Sequence, residues 1–230
     1  MARLPINPAK PRIPLLQMRV WDMPTRLFHW TLVLLLASSY YTAKKGPIGL
    51  HFLSGYAILT LLIFRIAWGF YGSQTARFSQ FLRSPLEALR HLAHFTRREP
   101  DTEIGHNAAG GWMVIVLLLA LLVQVVAGLF SNSDNISYGP LAHLVSQDTS
   151  DAISSVHFNF INVILVLVAL HVLAVLAYAV VKRHDLVRPM ITGRKRLPAS
   201  LQQPRFVPPL LALLTLLAAA GLVALLVNFA

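Results

Sequence analysis

The sequence predicts an all-α integral membrane protein built as a bundle of transmembrane helices. Of its 230 residues, 56% are hydrophobic and 13% are charged, whereas soluble domains carry about a quarter charged residues. Five apolar windows are long enough to cross a bilayer as helices, and no strand-like alternation of polar and apolar residues accompanies them. The predicted spans cover residues 27–43, 50–71, 110–130, 156–181 and 207–229.

The basic residues predict the orientation of the bundle. The chain has 20 Lys and Arg residues and a net charge of +11. Five of them precede the first span, five lie between the second and third spans, and seven lie between the fourth and fifth. By the positive-inside rule these segments are cytoplasmic, so the N-terminus is expected in the cytoplasm and the C-terminus in the periplasm. The charge is explained by topology and by attraction to anionic membrane lipid, and nucleic acid is not an expected partner.

The N-terminal segment leads into the first span. Prolines recur at every third position from Pro5 to Pro14, which favours an extended chain, so residues 1–19 are predicted to be a flexible cytoplasmic tail. The polar, proline-rich start is unlike a cleavable signal peptide, and the first span is expected to remain as an anchor. His29 lies just inside the cytoplasmic end of this span.

The second span carries three residues of interest. His51 is at its outer end, and Gly55 follows one turn later on the same helix face. A missing side chain at Gly55 would let either a flat macrocycle or a neighbouring helix approach the backbone. Arg65 lies 14 residues after His51. A charged side chain this deep in the membrane needs an anionic partner. Because no span contains Asp or Glu, a haem propionate is the expected partner of Arg65.

The next loop, residues 72–109, is predicted to contain a short amphipathic helix on the inner membrane surface, starting at a capping box from Ser84 to Glu87. His106 precedes the third span. Its open alternatives are capping the helix, contacting a propionate or lining a quinone site.

The fourth span organises the chain. Residues 151–183 form an apolar helix that carries His157 and His171, 14 residues apart. This spacing is close to four helical turns, so both side chains project from one face with roughly 21 Å of axial rise between them. The fifth span has no ionisable residue, so it supplies no histidine ligand and is expected to pack on the bundle or on another subunit.

The alternating direction of the spans sorts four histidines into two pairs by depth. His51 is expected opposite His157 near the outer surface, and His29 opposite His171 near the inner one. Two facing imidazoles can hold the iron of a b-type haem from both sides. The chain has no cysteine, which excludes disulfides, thiolate ligands and covalent haem attachment.

Six segments together resemble the bacterial cytochrome b561 and nickel-iron hydrogenase cytochrome b family. They are VWDMPTRLFHW from Val20, GLHFLSGY from Gly49, FRIAWGFYGSQTARFSQF from Phe64, EIGHNAAGGW from Glu103, HFNFINVILVLVALHVLAVLAYAVV from His157 and RPMITGRK from Arg188. The resemblance implies a four-helix dihaem core in residues 20–196, with His29, His51, His157 and His171 as axial ligands of two non-covalent haem b groups. Residues 197–230 depart from the smallest members by adding a linker and a fifth transmembrane helix.

The resulting hypothesis is a dihaem electron carrier of the bacterial inner membrane, working between the quinone pool and a periplasmic partner such as a c-type cytochrome. The family also implies two alternatives, a cytochrome b subunit anchoring a larger dehydrogenase or hydrogenase, and a superoxide:quinone oxidoreductase. Whether the chain is an enzyme or only an electron carrier stays open. A histidine-lined metal transporter is the non-redox alternative, and the lack of an intramembrane carboxylate weakens it.

Overall fold

The computed structural model describes residues 14–133 and 137–229, so the tail prediction for residues 1–13 lies outside the described residues. The helices are α1 (Met23–Lys45), α2 (Ile48–Tyr71), α3 (Phe78–Phe81), α4 (Pro85–Ala93), α5 (Ala108–Phe130), α6 (Gln147–Ala177), α7 (Val187–Thr192) and α8 (Pro209–Phe229). The strands are β1 (Leu15–Arg19), β2 (Asn132–Ser133), β3 (Ser137–Tyr138) and β4 (Arg194–Pro198). A π-helical turn, Tyr178–Lys182, continues α6.

Four helices of the described chain are long and apolar enough to cross a membrane: α2, α5, α6 with its π-helical extension, and α8. The chain is therefore a multi-pass membrane protein. Helix α1, the predicted first span, has 23 residues, which is long enough to cross. It is less apolar because polar residues lie at both of its ends, among them Arg26, Ser38, Lys44 and Lys45. Its crossing of the membrane stays a prediction.

The long helices pack into one bundle. A tight turn at Gly46 and Pro47 folds α1 back against α2, and α5 packs against α6. Helix α2 is central because it also contacts α5 and α8. The Tyr71 hydroxyl lies 2.9 Å from Oγ1 of Thr215, which ties α2 to α8. The fifth predicted span therefore packs on the bundle of its own chain.

Helix α4 is the short amphipathic helix predicted for the loop after α2. Pro85 occupies its first turn, and the Ser84 hydroxyl accepts a hydrogen bond of 3.2 Å from the backbone amide of Glu87. The Ser84 half of the predicted capping box is therefore confirmed.

The flexible tail predicted for residues 1–19 is wrong for residues 15–19. These residues form β1, which pairs antiparallel with β4 in a register that places Leu15 opposite Pro198 and Arg19 opposite Arg194. The ladder continues where the amides of Val20 and Trp21 donate to the carbonyl of Gly193 at 2.8 and 3.2 Å. Residues 16–20 alternate apolar and polar side chains, and Met18 and Val20 are buried while Arg19 is exposed. This short alternation is a strand signal that the prediction of a tail overlooked, and main-chain pairing with a distant segment orders it. The sheet also spans the predicted domain boundary after residue 196.

The junction between β1 and α1 is fixed by Asp22, which is only 2% exposed. Its Oδ1 accepts the backbone N–H of Thr25 at 2.8 Å and so caps α1, while its Oδ2 accepts the indole N–H of Trp68 at 2.9 Å. Asp22 therefore joins the start of α1 to the last turn of α2.

Replacing Asp22 with alanine is expected to lower the free energy of unfolding by about 2 kcal/mol. Loss of an N-cap costs about 1 kcal/mol, and the buried Trp68 N–H left without an acceptor costs about as much again or more. The measurement is thermal unfolding of the detergent-solubilised protein. Asp185, which accepts the backbone amides of Val187 and Arg188 at an exposed site, is the matched control. If Asp22→Ala and Asp185→Ala lower the free energy of unfolding equally, the second contact of Asp22, with the Trp68 indole, adds no stability and the prediction is wrong.

Candidate functional site

His51 on α2 and His157 on α6 face each other. Their ring centres are 6.0 Å apart and their planes are inclined by 78°. Nδ1 of His51 lies 3.0 Å from the Ser39 carbonyl oxygen, and Nδ1 of His157 lies 2.9 Å from the Gln124 carbonyl oxygen. A carbonyl oxygen can only accept, so each Nδ1 carries the proton and each Nε2 keeps a free lone pair. This tautomer is the one a metal-binding histidine adopts when its other nitrogen is held by the backbone.

His29 on α1 and His171 on α6 form the second facing pair. Their ring centres are 6.4 Å apart and their planes are inclined by 55°. Nδ1 of His29 is buried and has no hydrogen-bond partner within the described part of the chain. The depth argument from the sequence therefore predicted both contacts, whereas the role of the four rings as ligands remains a prediction.

The spacing within each pair suits two ligands of one iron. Metal–imidazole bonds of about 2 Å on opposite sides of one metal, together with the ring radii, separate two ring centres by about 6 Å. The observed separations are 6.0 and 6.4 Å. In residues 14–133 and 137–229, no group of three or more His, Cys, Asp or Glu side chains is placed to hold a metal ion. Two histidines would suit a metal whose remaining ligands come from a cofactor such as haem, and this role of the pairs remains a prediction.

Two glycines lie beside the His51–His157 pair. A Cβ built on Gly55 meets no atom within 4 Å, so Gly55 does not mark a close helix crossing, and the space beside it is open to a flat group. A Cβ on Gly128 would lie 2.9 Å from Cε1 of His157. Gly128 therefore makes room for the His157 ring, and no pattern in the sequence singles Gly128 out.

Gln124 holds His157 through more than its backbone. Its side-chain amide donates to the His157 backbone carbonyl oxygen at 2.9 Å, while the backbone carbonyl of Gln124 accepts from Nδ1 of the His157 ring. From the sequence, Gln124 is notable only as an amide inside an apolar span. With Gly128 it lies on the face of α5 turned toward His157, one turn apart.

Arg65 is 2% exposed. Its Nη1 donates to the Ala76 carbonyl at 3.2 Å, and its guanidinium carbon lies 5.3 Å from the centre of the Phe78 ring. The carboxylate of Asp22, which lies just before α1 and outside every predicted span, also interacts electrostatically with Arg65. The protein therefore supplies part of the negative charge that Arg65 needs, and its contact with a propionate remains a prediction.

His106 lies between two aromatic rings, with Trp21 and Phe81 each 4.7 Å away between ring centres. It does not cap α5, because Asn107 does so by accepting the Gly110 amide at 2.7 Å. Burial, and then the positive charge of Arg65, lower the pKa of His106 to about 3. The imidazole is therefore neutral at physiological pH, and its buried Nδ1 has no partner among the residues that the structure describes.

A membrane bundle whose facing helices present histidine pairs at the spacing of two axial iron ligands is the architecture of a membrane b-type cytochrome, the class of electron-transfer proteins that carry haem b. The chain belongs to the prokaryotic cytochrome b561 family, whose model matches residues 20–193. The family resemblance drawn from the sequence is therefore confirmed.

Two relatives carry a more specific description. The chain is 25% identical over 211 residues to a probable Ni/Fe-hydrogenase B-type cytochrome subunit of Rhizobium leguminosarum bv. viciae, covering 76% of this chain and 87% of the relative. It is 22% identical over 211 residues to a protein of the same description from Bradyrhizobium diazoefficiens, covering 77% of this chain and 85% of the relative. No solved structure matches the chain.

Proposed function

We propose that this chain carries electrons across the bacterial inner membrane through two haem b groups, one held by His51 and His157 and the other by His29 and His171. The observation that carries the proposal is the presence of two facing histidine pairs, with ring centres 6.0 and 6.4 Å apart. Both pairs include a residue of the continuous helix α6, and the 14-residue spacing along it separates the two levels by roughly 21 Å.

The residues around each pair favour electron transfer over bond-making. Bound haem would supply a one-electron iron couple, and two histidine ligands would leave no iron position open to a substrate. The chain's own residues orient the histidine rings. The backbone carbonyls of Ser39 and Gln124 fix the tautomers of His51 and His157. The apolar helices around the pairs exclude water, which influences the redox potential.

Two electron-exchange partners follow from placing one haem near each membrane surface. Quinone is the lipid-soluble partner we propose, and a periplasmic redox protein such as a c-type cytochrome is the partner at the outer face. The proposed orientation, with the N-terminus in the cytoplasm, rests on the basic loops. It places the His51–His157 pair near the periplasm.

A second candidate is the cytochrome b subunit of a larger hydrogenase. The specific observation in its favour is that both relatives are described as probable Ni/Fe-hydrogenase B-type cytochrome subunits. In this case the periplasmic partner would be a hydrogenase subunit instead of a soluble cytochrome, while the path of electrons through the two histidine pairs would be the same.

The test begins with the purified protein. A reduced-minus-oxidised spectrum is expected to show b-type haem bands, with two haems per chain and two redox transitions. Absence of any haem band would overturn the proposal and leave metal transport as the better explanation. Copurification from native membranes then separates the partner candidates, because a hydrogenase subunit would remain bound in stoichiometric amount and a mobile carrier would be isolated alone.

A further inference from the structure

Three buried polar side-chain atoms near the start of α1 lack hydrogen-bond partners in the described part of the chain. They are Oγ1 of Thr25, Oγ1 of Thr75 and Nδ1 of His106. One of them, on His106, belongs to a ring that interacts electrostatically with His29 and His171. Thr25 and Thr75 are only 5% and 7% exposed. Leaving a buried polar group unpaired is destabilising, so three such groups in one region indicate a missing polar partner.

Contacts through neighbouring residues place these atoms at one end of the bundle. Thr25 is one turn before His29 on α1, on the same helix face. A Cβ built on Gly105 would lie 3.6 Å from Cβ of Thr75 and 3.7 Å from the Trp21 ring. His106, the next residue, has its ring 4.7 Å from that of Trp21. We call Thr25, Thr75 and His106 the polar cluster.

The charges around the polar cluster favour an anion. Arg65 interacts electrostatically with both His106 and Asp22, and it is the buried cation of this region. The Asp22 carboxylate is already engaged by the Thr25 amide and the Trp68 indole. Arg26 donates from Nη1 to the Ile191 carbonyl, while its buried Nε has no partner in the described residues. The unpaired groups are thus two hydroxyls, a neutral imidazole and a guanidinium N–H, all able to donate.

We infer that the polar cluster binds a carboxylate of the haem held between His29 and His171, with Arg65 as the compensating charge. The inference rests on the proposed function. A carboxylate has about four lone-pair sites for donors, so one group can satisfy both hydroxyls and the imidazole N–H together. In this arrangement Thr25, Thr75 and His106 are positioning residues, because they fix the haem and set its potential without contacting the iron.

The test removes one hydroxyl at a time without changing side-chain shape. Thr25→Val and Thr75→Val are expected to lower the midpoint potential of the His29–His171 haem, because a less compensated carboxylate favours oxidised iron. A tenfold change in the oxidised-to-reduced equilibrium constant corresponds to about 59 mV for one electron. The potential of the His51–His157 haem is expected to stay unchanged. Single histidine replacements assign the two transitions to their haems.

Two matched variants separate hydrogen bonding from packing. Thr25→Ser and Thr75→Ser keep the hydroxyl and should keep the potential. Thr60→Val removes an α2 hydroxyl that already bonds the Tyr56 carbonyl at 2.9 Å, and it should leave both potentials unchanged.

The inference is overturned if the valine variants behave like Thr60→Val, or if the serine variants shift the potential as much as the valine variants. Loss of the His29–His171 haem from the valine variants supports it if the serine variants retain that haem, and opposes it if they do not. Failure of the unmodified protein to bind haem would instead overturn the proposed function.

Discussion

Replacing His157 with alanine is expected to lower the haem content from two per chain to one. The ring of His157 is fixed by the Gln124 carbonyl and faces His51, so its loss would remove one of the two proposed haem ligands at that level. The His29–His171 pair is four helical turns away along α6 and should keep its haem. The measurement is the haem-to-protein ratio of the purified variant, followed by a redox titration that should show one transition. His171→Ala should remove the other transition.

The matched control is His143→Ala, since His143 is exposed in the loop before α6 and belongs to neither pair. It should retain two haems with unchanged potentials. Two haems in His157→Ala would contradict ligation by this residue. Loss of both haems from each of the four single variants would show that the two pairs do not act as separate sites.

The histidine contacts could be predicted from sequence because they depend on rigid, local geometry. A helix fixes the rise per residue, so the spacing between His157 and His171 determines two levels before any packing is known. The alternating direction of the spans then assigns His29 and His51 to those levels. The ring contacts in the structure follow this assignment. The prediction needed only the spans and their order.

The small sheet could not be predicted in the same way. Strand β1 pairs with residues 175 to 183 positions further along the chain, and its register sets Met18 opposite Lys195 and Arg19 opposite Arg194. Residues 16–20 alternate apolar and polar side chains, but so short a run does not identify the strand that it pairs with, and the basic strand β4 shows no such alternation. Its order comes from backbone pairing, from burial of Val20 and Leu197, and from an ion pair of 2.7 Å between Lys195 and Asp101. These are long-range contacts that no local pattern encodes.

The groups that contact the histidine rings could not be predicted from the sequence either. The groups that set the ring tautomers are main-chain carbonyls, those of Ser39 and Gln124, and every residue has such a carbonyl. Asp22 was missed as a neighbour of Arg65 because it lies outside the apolar windows. Only the packing of α1 on α2 brings its carboxylate to the indole of Trp68.

Replacing Gly55 with leucine is expected to abolish haem binding at the His51–His157 pair while the second haem remains. Gly55 is one turn from His51 on the same face of α2, and a Cβ built there meets only open space. If that space receives the flat macrocycle, a leucine side chain fills it and the two cannot coexist. Gly55→Ala adds one methyl group and should keep more haem than Gly55→Leu, at a shifted potential. Haem content and the potential of the remaining transition are the measurements.

Gly221→Leu is the matched control, because Gly221 is also helical and surrounded by open space but lies exposed on α8, a helix that carries no histidine. It should retain both haems. Equal haem loss in the Gly55 and Gly221 variants would indicate a general effect on the bundle instead of exclusion of a cofactor. Two haems with unchanged potentials in Gly55→Leu would mean that the macrocycle lies elsewhere. In that case the open space beside Gly55 faces lipid, and α6 rather than α2 would have to provide the wall of the site.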